Sequence, residues 1–221
     1  MIHAPGRPDP PTSRLLAALA EHAEAVGGPN TLVVSSGTAL DGPALEGVLA
    51  GWCGRGGGRA LVLSVLGVHP DARAGRLRAL WSIEEQVRRS GLPALVFRLA
   101  PLVGPRSPLW WRLRAHPTLP RGGELLLSPV VETDVVETLM RALGSEGEWA
   151  GWYEVAGPEA LTLGELAALA QRGGARLPGD SGAWEPGLEE IAEQRLVDGS
   201  PWRERFGMAP RHVKQEAMSW A

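Results

Sequence analysis

The chain has 221 residues, of which 44% are hydrophobic and 21% are charged, a composition typical of a globular protein that buries a core. Lysine and arginine number 22 against 25 acidic residues, for a net charge of −3, so no basic excess exists to attract nucleic acid. A single cysteine excludes an internal disulfide, scattered histidines predict no metal site, and no apolar run is long enough to cross a membrane. We expect a soluble, cytoplasmic protein.

The first half of the chain alternates short apolar runs with helix-like stretches, a pattern typical of consecutive βαβ units and a parallel sheet. After a short apolar opening at residues 2–5, buried strands are predicted at residues 31–36, 60–65 and 94–99. Helices are predicted at residues 12–26, 45–52 and 76–89. The last of these helices places five side chains on one face: Leu77, Leu80, Ile83, Glu84 and Val87.

From residue 106 the sequence becomes rich in proline, arginine and tryptophan, which predicts an excursion from the sheet into a smaller C-terminal lobe. Strands are predicted at residues 124–128 and 152–156, and helices at residues 132–143, 163–171, 188–195 and 212–220. Thr162 and Glu165 have the spacing of a capping box at the start of the helix 163–171. We expect two regions, residues 1–105 and 106–221, packed as one compact unit.

Four stretches between residues 60 and 170 follow one another in the order and spacing of a known family. They are residues 63–70 (LSVLGVHP), 84–105 (EEQVRRSGLPALVFRLAPLVGP), 129–136 (PVVETDVV) and 153–166 (YEVAGPEALTLGEL). Together they resemble the extended or atypical short-chain dehydrogenases/reductases, which include nucleotide-sugar epimerases and NAD(P)-dependent reductases. The resemblance implies an α/β fold: a shortened Rossmann-like parallel sheet flanked by helices, with a small C-terminal α/β lobe.

The cofactor motif of that family is degenerate in this chain. The resemblance places Gly6, Asp9 and Thr12 on the three motif glycines, and an aspartate there brings negative charge toward a diphosphate. The second and third strands of the nucleotide-binding half look deleted or merged. Two interpretations stay open: a turn that binds nothing, or a modified site built from Gly6, Ser35, Ser36 and Gly37. We expect weak or absent binding of NAD or NADP.

The proton relay of the family is also missing. The resemblance puts Arg76 at the position of the catalytic tyrosine and Leu80 at that of the lysine four residues later, and neither side chain can perform that role. The only tyrosine and the only lysine, Tyr153 and Lys214, are far apart in sequence. The remaining catalytic candidates are Ser64 and Arg76, although a serine at a strand end also fits a purely structural role.

Four residues are candidates for a substrate pocket: His69, Arg98, Pro101 and Trp110. His69 follows a predicted strand at the carboxyl edge of the sheet, where open α/β sheets bind ligands, but a position in a surface loop is the favoured interpretation. Trp110 lies in a segment of tryptophans and arginines that can stack on a flat or anionic ligand, or can pack in the core or in a homodimer interface.

These features favour a family member that kept its scaffold but lost the proton relay. We expect a ligand-binding, sensing or assembly protein with a small-molecule ligand. The alternative is an NAD(P)-dependent oxidoreductase or a nucleotide-sugar epimerase-like enzyme with a rearranged site around Ser64, His69 and Arg76. A third interpretation is a structural protein whose cleft is filled by side chains such as Trp81 and Trp110.

Overall fold

The computed structural model describes residues 2–3, 31–35, 42–115, 119–172, 191 and 196–220. Its strands are β1 (Ile2–His3), β2 (Thr31–Ser35), β3 (Arg59–Val65), β4 (Ala94–Leu99), β5 (Leu102–Val103), β6 (Leu126–Leu127), β7 (Val130–Val131), β8 (Trp152–Val155) and β9 (Leu161–Thr162). Its helices are α1 (Gly42–Gly54), α2 (Gly75–Arg89), α3 (Pro108–Ala115), α4 (Glu132–Gly144), α5 (Leu163–Arg172), α6 (Ser200–Phe206) and α7 (Val213–Glu216).

A five-stranded parallel sheet forms the centre of the fold, with the spatial order β1-β2-β3-β4-β8. The predicted α/β class and parallel sheet are confirmed. Predicted elements that fall within the described residues have counterparts whose bounds agree within three residues, except at the end of the predicted helix 212–220. There the α-helix ends at Glu216 and a 3-10 turn follows at Ala217–Ser219. The predicted helix 12–26 and all but one residue of the helix 188–195 lie outside the described residues.

Both faces of the sheet are covered, because consecutive side chains of a strand point to opposite faces. On β3, Ala60 and Val62 face a core formed with α1 and α2, while Leu61 and Leu63 face a core formed with α4 and α6. This double burial explains why the strand is a continuous apolar run. The core on the α2 side includes Leu77 among its fully buried members.

Helix α2 has the predicted buried face. Its buried residues are Leu77, Leu80, Ile83, Glu84 and Val87, the five side chains that the spacing of three and four placed together. Four are apolar and pack on the sheet. The fifth, Glu84, is a carboxylate on a core-facing stripe, which requires a cationic partner.

Segments beyond residue 105 complete the central sheet as well as the smaller lobe. Strand β8 pairs with β4, and α4 and α6 cover one sheet face. A separate core joins α3, α5 and the short β6–β9 pair. The lobe is therefore continuous with the sheet, and the boundary at residue 105 remains a prediction.

Helix α6 was not predicted. Asp198 marks its start, since one carboxylate oxygen accepts hydrogen bonds from the Ser200 backbone N–H at 2.9 Å and from the Ser200 hydroxyl at 2.6 Å. Pro201 follows in the first helical turn, where proline is favoured. These two signals were available in the sequence.

The capping box at the start of α5 is confirmed. The Glu165 backbone N–H donates to Thr162 Oγ1 at 3.1 Å, and the Thr162 backbone N–H donates to Glu165 Oε2 at 2.8 Å. We expect Thr162→Ala to lower the free energy of unfolding by about 1 kcal/mol, since one helix N–H loses its acceptor. Urea denaturation measures the loss, and Thr162→Ser, which keeps the hydroxyl, should retain most of the stability.

Asp134 of α4 holds the C-terminal segment against that helix. Its side chain is fully buried, accepts a hydrogen bond from the Arg211 backbone N–H at 2.8 Å and forms an ion pair with the Arg211 guanidinium. Burial raises the pKa of Asp134 above its usual range, and Arg211 opposes this rise only in part. The buried carboxylate thus links folding to proton uptake.

We expect the titration of Asp134 to make the protein less stable as the pH rises from about 4 through the raised pKa, because the folded state binds this proton more tightly than the unfolded state. Asp134→Asn removes the titration. The unfolding free energy of the wild type minus that of the variant, measured by urea denaturation, should therefore fall as the pH rises from about 4 through the raised pKa. A difference that rises across this window would contradict the assignment.

Candidate functional site

The loops that follow β3, β4 and β8 begin at one edge of the sheet. The strand register aligns Val65 with Leu99 and Leu99 with Val155. Backbone hydrogen bonds continue this alignment, from Leu66 N to Leu99 O at 3.0 Å and from Ala100 N to Val155 O at 2.9 Å. Ligands of open α/β sheets bind outside the carboxyl ends of the strands, so this carboxyl edge is the candidate site.

A buried ion pair lies next to that edge, on the face covered by α2. Arg98 donates from Nε to both carboxylate oxygens of Glu84 at 3.2 Å, and from Nη2 to Oε2 at 2.7 Å. The two side chains are 15% and 9% exposed. Two indoles flank the pair: the guanidinium carbon lies 5.7 Å from the ring centroid of Trp81 and 4.8 Å from that of Trp152. Arg98 was predicted to line a substrate pocket, and its guanidinium is engaged here by Glu84.

Two further polar side chains are neighbours of Arg98 in the sheet. Ser64 on β3 and Glu154 on β8 are its register partners, so the three side chains share one face. Ser64 is 2% exposed, and its Oγ has no hydrogen-bond partner among the described residues. Burial raises the pKa of Glu154, and the nearby Arg98 opposes the rise. Buried hydroxyls without partners are uncommon, and the catalytic role of Ser64 stays a prediction.

Helix α2 presents three residues at intervals of four, Arg76, Leu80 and Glu84, and this spacing places them along one side of the helix. Arg76 is half-buried in the first turn. Leu80 is 4% exposed and belongs to the core between α2 and the sheet. Glu84 joins the helix to Arg98 of β4 one turn after Leu80.

Comparisons with known proteins found similar folds among solved structures. No family model and no curated protein matches the chain. Among solved structures, MoeE5 in complex with UDP-glucuronic acid and NAD is 14% identical, with a TM-score of 0.71 over 99% of this chain and 96% of that chain. UDP-N-acetylglucosamine 4-epimerase from Bacillus cereus is 11% identical, with a TM-score of 0.62 over 98% and 93%. WbmG from Bordetella bronchiseptica in complex with NAD is 16% identical, with a TM-score of 0.59 over 94% and 75%.

This chain has the fold of the extended short-chain dehydrogenases/reductases. The resemblance carried by the four sequence stretches is confirmed at the level of the fold. Identities this low do not transfer an activity, because one fold supports many chemistries. The roles of individual residues must therefore come from their surroundings in this chain.

The lone tyrosine and the lone lysine lie apart from each other in this structure. Tyr153 faces away from Arg98, and its ring centroid lies 6.1 Å from that of Phe97 and 5.1 Å from that of Phe206. The Lys214 Nζ lies 3.7 Å from an oxygen of Glu165 on α5. Tyr153 thus packs on the face of the sheet opposite α2, and Lys214 belongs to the C-terminal segment.

The other three predicted pocket residues have different neighbours. His69 has a side chain that is 62% exposed, and its Nδ1 accepts a hydrogen bond from the Asp71 backbone N–H at 3.1 Å. Pro101 is buried, and its carbonyl accepts a hydrogen bond from Val130 N at 3.0 Å. Trp110 is 2% exposed and packs edge-on against Trp220, with 4.9 Å between ring centroids. Their role in a substrate pocket remains a prediction.

Of the predicted cofactor residues, Gly6, Ser36 and Gly37 lie outside the described residues, and Ser35 is the last residue of β2, in register with Leu63 of β3. The described strands do not fit a dinucleotide held in the usual way. In the dinucleotide fold the strand order reverses beside the first strand, and the cofactor lies across that point. The described sheet instead runs in one direction from β1 to β8.

The described residues were also searched for metal-binding clusters and for helices that could span a membrane. Within the described ranges, no three side chains of the types that bind metals come together. None of the helices in these ranges combines the length and apolar character needed to cross a bilayer.

The sequence reasoning missed the partner of Arg98. Glu84 was correctly placed on the buried face of α2, and a buried carboxylate requires a cation. Arg98, on a strand that packs beneath the same helix, was the available partner. Trp152 and Glu154 on β8 were missed because no local pattern links β8 to β4.

Proposed function

We propose that this protein binds a nucleotide sugar or a related small anionic ligand at its carboxyl edge, and that it serves in sensing or assembly and does not catalyse the proton transfers of its structural neighbours. The observation that carries the non-catalytic part of this proposal is Leu80. It lies four residues before the anchored Glu84, at the position that the resemblance assigns to the relay lysine, and it is packed in the core. A hydrocarbon can neither hold a proton nor lower the pKa of a neighbouring base.

Arg76 supports the same proposal. The resemblance gives this position to the tyrosine that takes up the proton, but a guanidinium stays protonated at any working pH and offers no acceptor. Arg76 can attract or position an anionic group at the carboxyl edge, which is a binding role and not an acid–base role.

The proposed ligand class follows from the neighbours and from the segment after β5. MoeE5 is seen with UDP-glucuronic acid and with UDP-glucose. In this chain the Trp111 indole donates to the Pro105 carbonyl at 2.7 Å, and the Arg114 guanidinium carbon lies 4.7 Å from the Trp111 ring centroid. An indole held in this way beside a cation suits a flat, negatively charged group such as a nucleoside diphosphate.

Titration calorimetry of the full chain with UDP-glucuronic acid, UDP-glucose and UDP tests binding, and epimerase, dehydratase and reductase assays with the same sugars test turnover. We expect saturable binding without turnover. Arg114→Gln should weaken binding by about tenfold through the loss of one charge contact, while Arg88→Gln, on the exposed end of α2, is the matched control. Absence of binding by all three probes, or turnover of a nucleotide sugar, contradicts the proposal.

The second candidate is an enzyme with a rearranged site, favoured by the buried Ser64 Oγ, which has no hydrogen-bond partner in the described part of the chain. This candidate predicts turnover that falls by about a hundredfold or more in Ser64→Ala. Turnover that persists in Ser64→Ala would exclude Ser64 from any such mechanism, and Arg76→Ala tests the other catalytic candidate in the same assay.

A further inference from the structure

We infer that this chain has lost the place where the adenosine half of a dinucleotide binds, so that its carboxyl edge accepts only ligands lying on the β2–β4 side. The evidence is the order of the central sheet, which is independent of the α2 observations that carry the proposed function. The ligand on the β2–β4 side is the one proposed above, and this part of the inference rests on that proposal.

The position of β1 carries the first step. In the dinucleotide-binding fold the strand order is 3-2-1-4-5-6, so the first strand is internal and the second and third strands lie on its outer side. In this chain β1 pairs in parallel with β2, through Ile2 with Thr31 and His3 with Leu32. All later strands of the sheet follow on that same side. Within the described ranges β1 therefore forms the border of the sheet.

The length of the connection carries the second step. Residues 4–30 separate β1 from β2, a stretch of 27 residues. A parallel crossover takes a dozen residues or more, and the usual route between these strands needs three crossovers and two additional strands, about 45 residues in all. The connection thus has the length of one crossover, which is what a direct β1-to-β2 pairing requires.

The sequence around this connection carries the third step. The aspartate or glutamate that binds the adenosine ribose follows the glycine motif by about 20 residues, at the end of the second strand. In this chain the corresponding stretch, residues 27–30, reads GGPN and leads directly into β2. This stretch holds no acidic residue, which is the expected result of one deletion that removed the ribose-binding acid together with its strand.

The remainder of the edge is retained. Strands β2, β3, β4 and β8 lie in sequence order with an unbroken parallel register, and the loops after β3, β4 and β8 reach the carboxyl edge. Among the described residues, the strands on the β2–β4 side of the sheet are therefore present, while no strand lies on the outer side of β1. A sheet of this kind favours binding of a nucleotide sugar alone and not of a nucleotide sugar together with a dinucleotide.

Calorimetry of the full chain with NAD, ADP-ribose and nicotinamide mononucleotide tests the inference, after thermal unfolding has shown a cooperative transition. If the adenosine half has no binding place, NAD binds no more than about threefold tighter than the mononucleotide, and ADP-ribose gives no saturable heat. NAD or ADP-ribose binding at least about tenfold tighter than the mononucleotide overturns the inference. NAD released from the purified protein on denaturation and detected by mass spectrometry overturns it as well.

Asp9→Gly separates a defective turn from a missing half-sheet. The substitution restores a motif glycine and removes the negative charge, so a chain whose only defect is the turn would gain about tenfold or more in NAD affinity. We expect a change within about threefold. UDP-glucuronic acid, measured in parallel, reports on the proposed function alone. Binding of that sugar together with tight NAD binding overturns only this inference, whereas binding of neither contradicts only the proposed function.

Discussion

Replacing Arg98 with leucine is expected to lower the free energy of unfolding by about 3–5 kcal/mol, because the change leaves the buried Glu84 carboxylate without its cation. Glu84 is 9% exposed and receives three hydrogen bonds from Arg98. Glu154, the register partner on β8, loses its nearby positive charge in the same variant. Urea denaturation at neutral pH, with m-values checked for two-state behaviour, measures the loss.

A double-mutant cycle provides the control for this prediction. Glu84→Leu combined with Arg98→Leu removes both charges, and hydrophobic replacement of a whole buried ion pair is often close to neutral. We therefore expect the double variant to be more stable than Arg98→Leu alone by at least about 2 kcal/mol. If the two single losses simply add, the pair is not coupled in the folded protein. Arg98→Lys should be intermediate, since an ammonium cannot reproduce the two-nitrogen contact.

Leu80→Lys is expected to lower the free energy of unfolding by about 4–5 kcal/mol at pH 7. The site is 4% exposed and apolar, so a lysine there must give up its proton, and the distance from its usual pKa near 10.4 to pH 7 sets this cost. The depressed pKa in the folded state means that the folded protein binds fewer protons than the unfolded one. The loss should therefore shrink as the pH rises toward about 10.

Leu80→Met is the matched control, with an expected cost below about 1.5 kcal/mol because volume and polarity are kept. The comparison of the two variants between about pH 7 and pH 10 distinguishes burial of a charge from disturbed packing, since only the lysine variant should recover. A lysine variant as stable as the methionine variant at pH 7 would show that this position reaches solvent. The position would then be available for a relay, and the double variant Arg76→Tyr, Leu80→Lys would be the one to assay for turnover.

The predictions for Arg98→Leu and Leu80→Lys both concern helix α2. Together they test whether its packing against the sheet keeps position 80 in the core. The ion pair of Glu84 and Arg98 places α2 against the sheet, and that placement puts Leu80 into the core. If both hold, the folded structure itself keeps position 80 out of a proton relay, as the proposed function requires. Binding without turnover is then the expected behaviour.

Several features could be predicted from the sequence because they depend on nearby residues. The face of α2, the capping box of Thr162 and Glu165, and the apolar run of β3 each follow from spacing within one element. The short strands β5, β7 and β9 were not predicted, since two-residue pairings have no period of their own. Helix α6 was overlooked although its starting residues signalled it.

The sequence by itself determined the α/β class, the buried parallel strands and the absence of a tyrosine–lysine pair at helical spacing, because these are properties of residue type and local period. Only the tertiary structure decided that Arg98 is held by Glu84, that Tyr153 packs against Phe206 on the opposite face of the sheet, and that β8 borders β4. Those contacts join residues distant in the chain, and no periodicity reports which distant segments meet. The one-directional strand order depends on both. The sequence predicted that two strands were deleted or merged, and the pairing of β1 with β2 places β1 at the border of the described sheet.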